Sequence, residues 1–83
     1  MKVTKQNHHV DDWRNINVSF GRILRKIREA RSMSQEEFSA LCGISRAYYG
    51  RLELGKHSVT LELCQKISDA TGLALSELFE DLC

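Results

Sequence analysis

From Val18 onward, apolar residues recur at helical spacing. Phe20, Ile23, Leu24, Ile27 and Ala30 mark one face of a first helix, about Val18 to Arg31, with Arg22, Arg25, Lys26 and Glu29 on its other sides. Ser34-Gln-Glu-Glu37 reads as a capping box, the serine accepting from a first-turn amide while Glu37 reaches back. It opens a second helix with Phe38, Leu41 and Cys42 expected inward, closed by Gly43 in the left-handed position. Ser45 is the next N-cap, and a third helix runs from about Arg46 to Leu54. A fourth starts near Thr60 with Leu61, Leu63, Cys64, Ile67 and Ala70 apolar and ends at Gly72. A short fifth carries Leu75, Leu78, Phe79 and Leu82. Residues 1–17 are polar and aperiodic apart from Val10, Trp13 and Ile16, which predicts an N-terminal arm ahead of a domain spanning 18–83. The expectation is an all-α, compact five-helix domain with Phe20, Leu24, Ile27, Phe38, Leu41, Ile44, Leu52, Ile67 and Leu78 buried.

The informative piece is the joint Cys42-Gly43-Ile44-Ser45. So short a connection between two short helices forces a steep crossing, the geometry of a helix-turn-helix. In that motif the first helix braces on the DNA backbone and the N-terminal residues of the second meet base edges. The expected base readers are therefore Arg46, Ala47, Tyr48 and, one turn on, Arg51. Either arginine has the planar fork that spans guanine O6 and N7. Ser34, Gln35, Ser45 and Lys56 are assigned to phosphates, the first three because they sit at helix N-termini. Helical periodicity turns Tyr49 inward with Leu52 and leaves Tyr48 outward beside Arg51.

Charge sharpens this picture. The net charge of the 83 residues is only +1, but eight of the basic residues fall between Arg22 and Lys56 against four glutamates. Residues 57–83 hold Lys66 against five acids. A basic middle beside an acidic end suits one polyanion-facing surface. Hydrophobic residues make up 42%, too many for a disordered chain, while no run is long enough to span a membrane. The opening MKVTKQNHHVDD lacks the apolar stretch of a secretory signal, so a cytoplasmic location is expected. Cys42, Cys64 and Cys83 are odd in number and have no C-x-x-C spacing, which argues against a disulfide framework or a zinc knuckle. Cys42 and Cys64 are expected in the core as small apolar residues.

The run Ser34-Gln-Glu-Glu-Phe-Ser-Ala-Leu-Cys-Gly-Ile-Ser-Arg-Ala-Tyr-Tyr-Gly-Arg-Leu-Glu-Leu-Gly-Lys56 resembles the helix-turn-helix of the Cro/phage-repressor-like (XRE) family. Ile67 and Gly72-Leu-Ala-Leu-Ser-Glu-Leu-Phe79 resemble its fourth and fifth helices, so the likeness covers roughly residues 18–80. A stand-alone domain of this size with Arg46-Ala-Tyr-Tyr49 opening the third helix resembles, more narrowly, the controller proteins of restriction–modification systems. The resemblance implies a homodimer reading a two-fold-related operator on double-stranded DNA, regulating transcription, with contact to RNA polymerase. It also implies that Arg28 and Glu53 form a buried salt bridge, which makes Arg28 scaffold rather than DNA contact. Several positions depart from the pattern. Ser39 stands for alanine, Tyr49 for an aliphatic residue, and Ala74 for a capping serine. Leu54 stands where a polar residue often touches phosphate, so it is assigned no contact, and Gly50 costs its helix about 1 kcal/mol relative to alanine.

A dimer needs an apolar patch away from Arg46, and the fifth helix offers Leu75, Phe79 and Leu82, with Leu78 closing the core. Two other readings compete. For an enzyme, His8, His9 and His57 have no cysteine or serine placed as nucleophile, and no glycine-rich phosphate loop exists. His8, His9, Asp11 and Asp12 carry metal donors, but adjacent histidines on a polar tail are ordinarily solvated, so neither a metal nor any cofactor is assigned. A DNA-binding antitoxin would keep the helix-turn-helix and use the arm or the acidic C-terminal helix for a partner protein.

Overall fold

The structure, a computed structural model, describes residues 13–82; residues 1–12 with His8 and His9, the Trp13 side chain and Cys83 lie outside the described residues. Five helices follow one another: α1 (Trp13–Ala30), α2 (Gln35–Cys42), α3 (Arg46–Glu53), α4 (Leu61–Thr71) and α5 (Leu75–Leu78), then a 3₁₀ turn over Glu80–Leu82. Among the described residues no strand forms, and no helix is long and apolar enough to cross a membrane.

The N-caps act as their sequences predict. Ser34 Oγ accepts from the Glu37 amide at 3.0 Å while Glu37 Oε1 accepts from the Ser34 amide at 2.8 Å. Ser45 and Thr60 cap α3 and α4 in the same sense, their hydroxyls accepting from Tyr48 and Leu63. Ala74 has no side-chain oxygen to offer α5, so only the return half of a box forms, Glu77 accepting from the Ala74 amide at 2.7 Å. Gly43 ends α2 at φ 75°, where its amide reaches Ala40 and the Ile44 amide reaches Ser39. Those two bonds reverse the chain within three residues and leave Ser45 ready to start α3. Ser32 makes the same reversal after α1 without being glycine, at φ 56°.

Three sequence expectations are corrected. The first helix begins at Trp13, so residues 13–17 extend α1 instead of belonging to an arm; Asn17 is already buried. On α2 the buried face is Phe38, Ser39 and Cys42, and Leu41 is 46% exposed. An eight-residue helix has barely two turns, and α2 packs against both α3 and α4, so the apolar stripe alone misplaces its inward side by one residue. Ser39 is tolerated there because its hydroxyl donates to the Glu36 carbonyl at 3.0 Å. Finally, the stripe from Leu75 to Leu82 is not one helix: α5 is a single turn, and Leu82 is reached by the following 3₁₀ turn, its amide bonding to Phe79.

The core gathers Phe20 and Leu24 from α1, Phe38 and Cys42 from α2, Tyr49 and Leu52 from α3, Leu63, Cys64 and Ile67 from α4, and Leu78. Ile27 and Ile44 are only partly buried against it. Cys42 and Cys64 are free thiols in this core, and burial pushes both pKa values up, which keeps them protonated and unreactive. α1 and α3 meet backbone to backbone at Gly21. A methyl at Gly21 would stand 2.5 Å from the Leu52 carbonyl oxygen and clash with the Glu53 carbonyl as well. Glycine is therefore required there by contact, and it lets α1 rest on the end of α3 backbone to backbone.

Candidate nucleic-acid interface

Tyr49 and Leu52 hold α3 to the core, which turns its opposite side to solvent. Arg46, Ala47 and Arg51 are exposed on that side, with Ser45 at its start and Lys56 just beyond its end; Tyr48 is half-buried at the edge. Ser34 and Gln35 lie at the start of α2, and Gln35 Oε1 is 4.0 Å from where a methyl on Gly50 of α3 would stand. Leu75, Phe79 and Leu82 belong to the α5 region, which packs on α1 and α4.

What positions α3 is a buried polar cluster around Glu53. Arg28 Nε donates to Glu53 Oε2 at 2.7 Å and Arg28 Nη2 to Oε1 at 3.3 Å. Gln35 Nε2 donates to Oε1 at 2.9 Å, and the Tyr49 hydroxyl donates to Oε2. Arg28 Nη1 continues to the Met33 carbonyl at 3.0 Å, tying the α1–α2 turn to the same carboxylate. The two ion-pair side chains are 13% and 5% exposed, so this is a desolvated pair with its lone pairs satisfied. Burial pushes Glu53 up, but the hydrogen bonds from Arg28, Tyr49 and Gln35 outweigh it, and the carboxyl lies below its ordinary range. The bond to Glu53 raises Arg28, and burial raises Tyr49 far above an ordinary phenol. The residue that replaces an aliphatic side chain, Tyr49, is accommodated because its ring packs on Phe38 and its hydroxyl joins this cluster.

Several features of the site were not read from the sequence. Gln35 turns its side-chain amide to Glu53, its Nε2 donating to that carboxylate, so the side chain is engaged in the cluster. The Ser34 hydroxyl and the backbone amides of Gln35 and Glu36 remain as phosphate donors, the Glu37 amide being taken by Ser34 Oγ. Gly50, expected only to weaken α3, is the floor beneath Arg46: a methyl there would stand 2.7 Å from Arg46 Nη1 and 4.0 Å from Gln35 Oε1. The signal was a glycine one turn after the arginine on the outward face. Arg51 is not loose either, for its Nε donates to His57 Nε2 at 2.9 Å. The apolar surface around α5 is wider than α5 itself. Leu61 is 80% and Ile16 58% exposed, and both border one shallow depression with Phe79 and Leu82. Leu75 is 37% exposed, while Phe79 leans on Phe20 with ring centroids 6.3 Å apart.

The helix-turn-helix family model HTH_3 matches residues 24–78. The chain is 42% identical over 69 residues to the control protein C.MunI of Mycoplasma sp, covering 82% of this chain and 93% of that one. It is 37% identical over 67 residues to the control protein C.BamHI of Bacillus amyloliquefaciens, covering 80% and 83%. Its fold superposes on the crystal structure of the restriction-modification controller protein C.AhdI from Aeromonas hydrophila with a TM-score of 0.76 and 37% identity, over 82% of this chain and 99% of that one.

Proposed function

The chain belongs to the HTH_3 helix-turn-helix family, and from that premise we propose that it is a restriction–modification controller, a homodimer reading a two-fold-related operator. Membership makes it a DNA-binding transcription regulator, and the family is not an enzyme class. The observation that carries the proposal is the outward side of α3, where Arg46 and Arg51 stand exposed over a helix anchored by Tyr49 and Leu52. The near full-length likeness to control proteins supports the narrower role. In this reading Arg46, Ala47, Tyr48 and Arg51 meet base edges, and Ser34, Ser45, Lys56 and the amide end of α2 at Gln35 hold phosphates. A contact with RNA polymerase and a cytoplasmic location belong to the same reading, since a regulator acts where transcription runs.

Selection from a randomised duplex pool is the test. The protein is expected to enrich a sequence with two related half-sites. Arg46→Ala should lose about 1–3 kcal/mol of discrimination at one position per half-site while melting like the parent. An unchanged ratio of operator to scrambled duplex would show that Arg46 reads no base.

The dimer is assigned to Leu75, Phe79 and Leu82, extended by the exposed Ile16 and Leu61. One helix-turn-helix covers too few base pairs for strong discrimination, and a two-fold pair sets its recognition helices about 34 Å apart. Leu61→Glu and Leu82→Glu are expected to sediment as folded monomers and to bind a single half-site weakly. Dimers from both variants would move the interface elsewhere.

A further inference from the structure

Arg51 reaches solvent from α3, but its head is held by a residue beyond that helix. His57 follows α3 in the loop that leads to Thr60, and it is half-buried. Its Nε2 receives the Arg51 Nε–H at 2.9 Å, and its ring lies tilted against Tyr48 with centroids 5.1 Å apart and planes at 50°. A guanidinium has no acceptor, so the direction of this bond is fixed. The imidazole must be neutral with its proton on Nδ1. Three side chains therefore interlock at the rim of the surface assigned to base reading: Tyr48 backs the imidazole, and the imidazole holds Arg51.

We propose that His57 is the positioning residue for Arg51, setting the guanidinium before DNA arrives so that its two terminal amino groups project together. With Nε occupied, those two groups are the pair left to span O6 and N7 of a guanine, an end-on contact. Arginine is among the side chains that lose most rotamer freedom on ordering, and a head already held loses less of it on binding. The inference rests on the reading of α3 as the helix that meets base edges. A histidine that instead touched a phosphate directly would strengthen binding to every sequence alike.

The two roles separate in one experiment. The parent, Arg51→Ala, His57→Ala, His57→Gln and the double variant Arg51→Ala/His57→Ala are each used to select from the same randomised duplex pool. Arg51→Ala should lose preference at one base position per half-site by about 5- to 150-fold. His57→Ala should lose preference at that same position, by about 2- to 10-fold, the size of one positioning hydrogen bond. His57→Gln, whose amide oxygen offers an acceptor at similar reach, should restore it. In the Arg51→Ala background, His57→Ala should change nothing further, because coupled residues fail to add. All variants should melt like the parent. Uniform weakening by His57→Ala, a loss at another position, or full additivity with Arg51→Ala would overturn the positioning role while leaving base reading by α3 intact. If the parent enriches no sequence, base reading itself falls, and this inference with it.

Discussion

Arg28→Ala is expected to destabilise the domain by about 3–5 kcal/mol, because it strands a buried carboxylate. Glu53 would lose two of its four donors and the Met33 carbonyl would lose its partner. For a chain of this length that is a large share of a total stability of roughly 4–12 kcal/mol. Urea unfolding at neutral pH measures it as a lower midpoint with an unchanged slope. Arg28→Lys should recover only part, since a lysine cannot make the two-pronged contact. The same cluster sets the pH limits. Glu53 titrates below its ordinary 4.5 in the folded chain, so its contribution is complete above that value and drains as pH falls below it. Tyr49 has the opposite sign: raised above an ordinary phenol near 10, its contribution is complete below that value and is lost as pH rises past it. Glu53→Gln should therefore flatten the acid side of the stability profile, and Tyr49→Phe the alkaline side.

Phe38→Ala is expected to cost about 3–5 kcal/mol by opening a cavity beneath α3. The Phe38 ring is fully buried and meets Tyr49 with centroids 5.4 Å apart and planes at 60°. Tyr49 in turn holds Glu53, so the cavity opens beside the polar cluster and loosens both supports of α3 at once. A melting experiment should show a drop of roughly 15–30 °C. Phe38→Leu, which keeps most of the volume, should recover the larger part of it. A drop of only a few degrees for the alanine variant would mean that α3 is held chiefly by its polar contacts.

Much of this was legible because it is local. Ser34 with Glu37, Ser45 and Gly43 are each recognised from neighbours within four residues, and together they place the turn and the start of α3. The outward side of α3 followed from Tyr49 and Leu52 alone. What was not legible depends on which elements meet. The periodicity of α1 marks Phe20 and Leu24 as its buried side but says nothing of α3 crossing at Gly21. Leu41 and Ser39 exchange roles because α2 is wedged between two helices, which its own two turns do not record. The start of α1 was missed although Asp12, an N-cap residue type, stands directly ahead of Trp13, because Trp13 and Ile16 are the only apolar residues over 13–17. His57 bonds to Arg51 from six residues away across a loop, and spacing rules for helices do not reach that far. Gln35 points inward because Glu53 lies there, a fact of the fold and not of the motif.

The backbone contact at Gly21 bears on how strictly an operator must be spaced. In the proposed dimer, Ile16 near the start of α1 borders the subunit interface, and five residues later the same helix touches the end of α3. No flexible side chain lies between the two backbones to absorb a shift. Inserting one base pair between half-sites would part them by about 3.4 Å and turn one against the other by about 34–36°. A lever this short and stiff cannot follow such a change, so the DNA would have to bend or twist instead. Operators with the wrong number of central base pairs are then rejected by geometry alone, even when each half-site is intact.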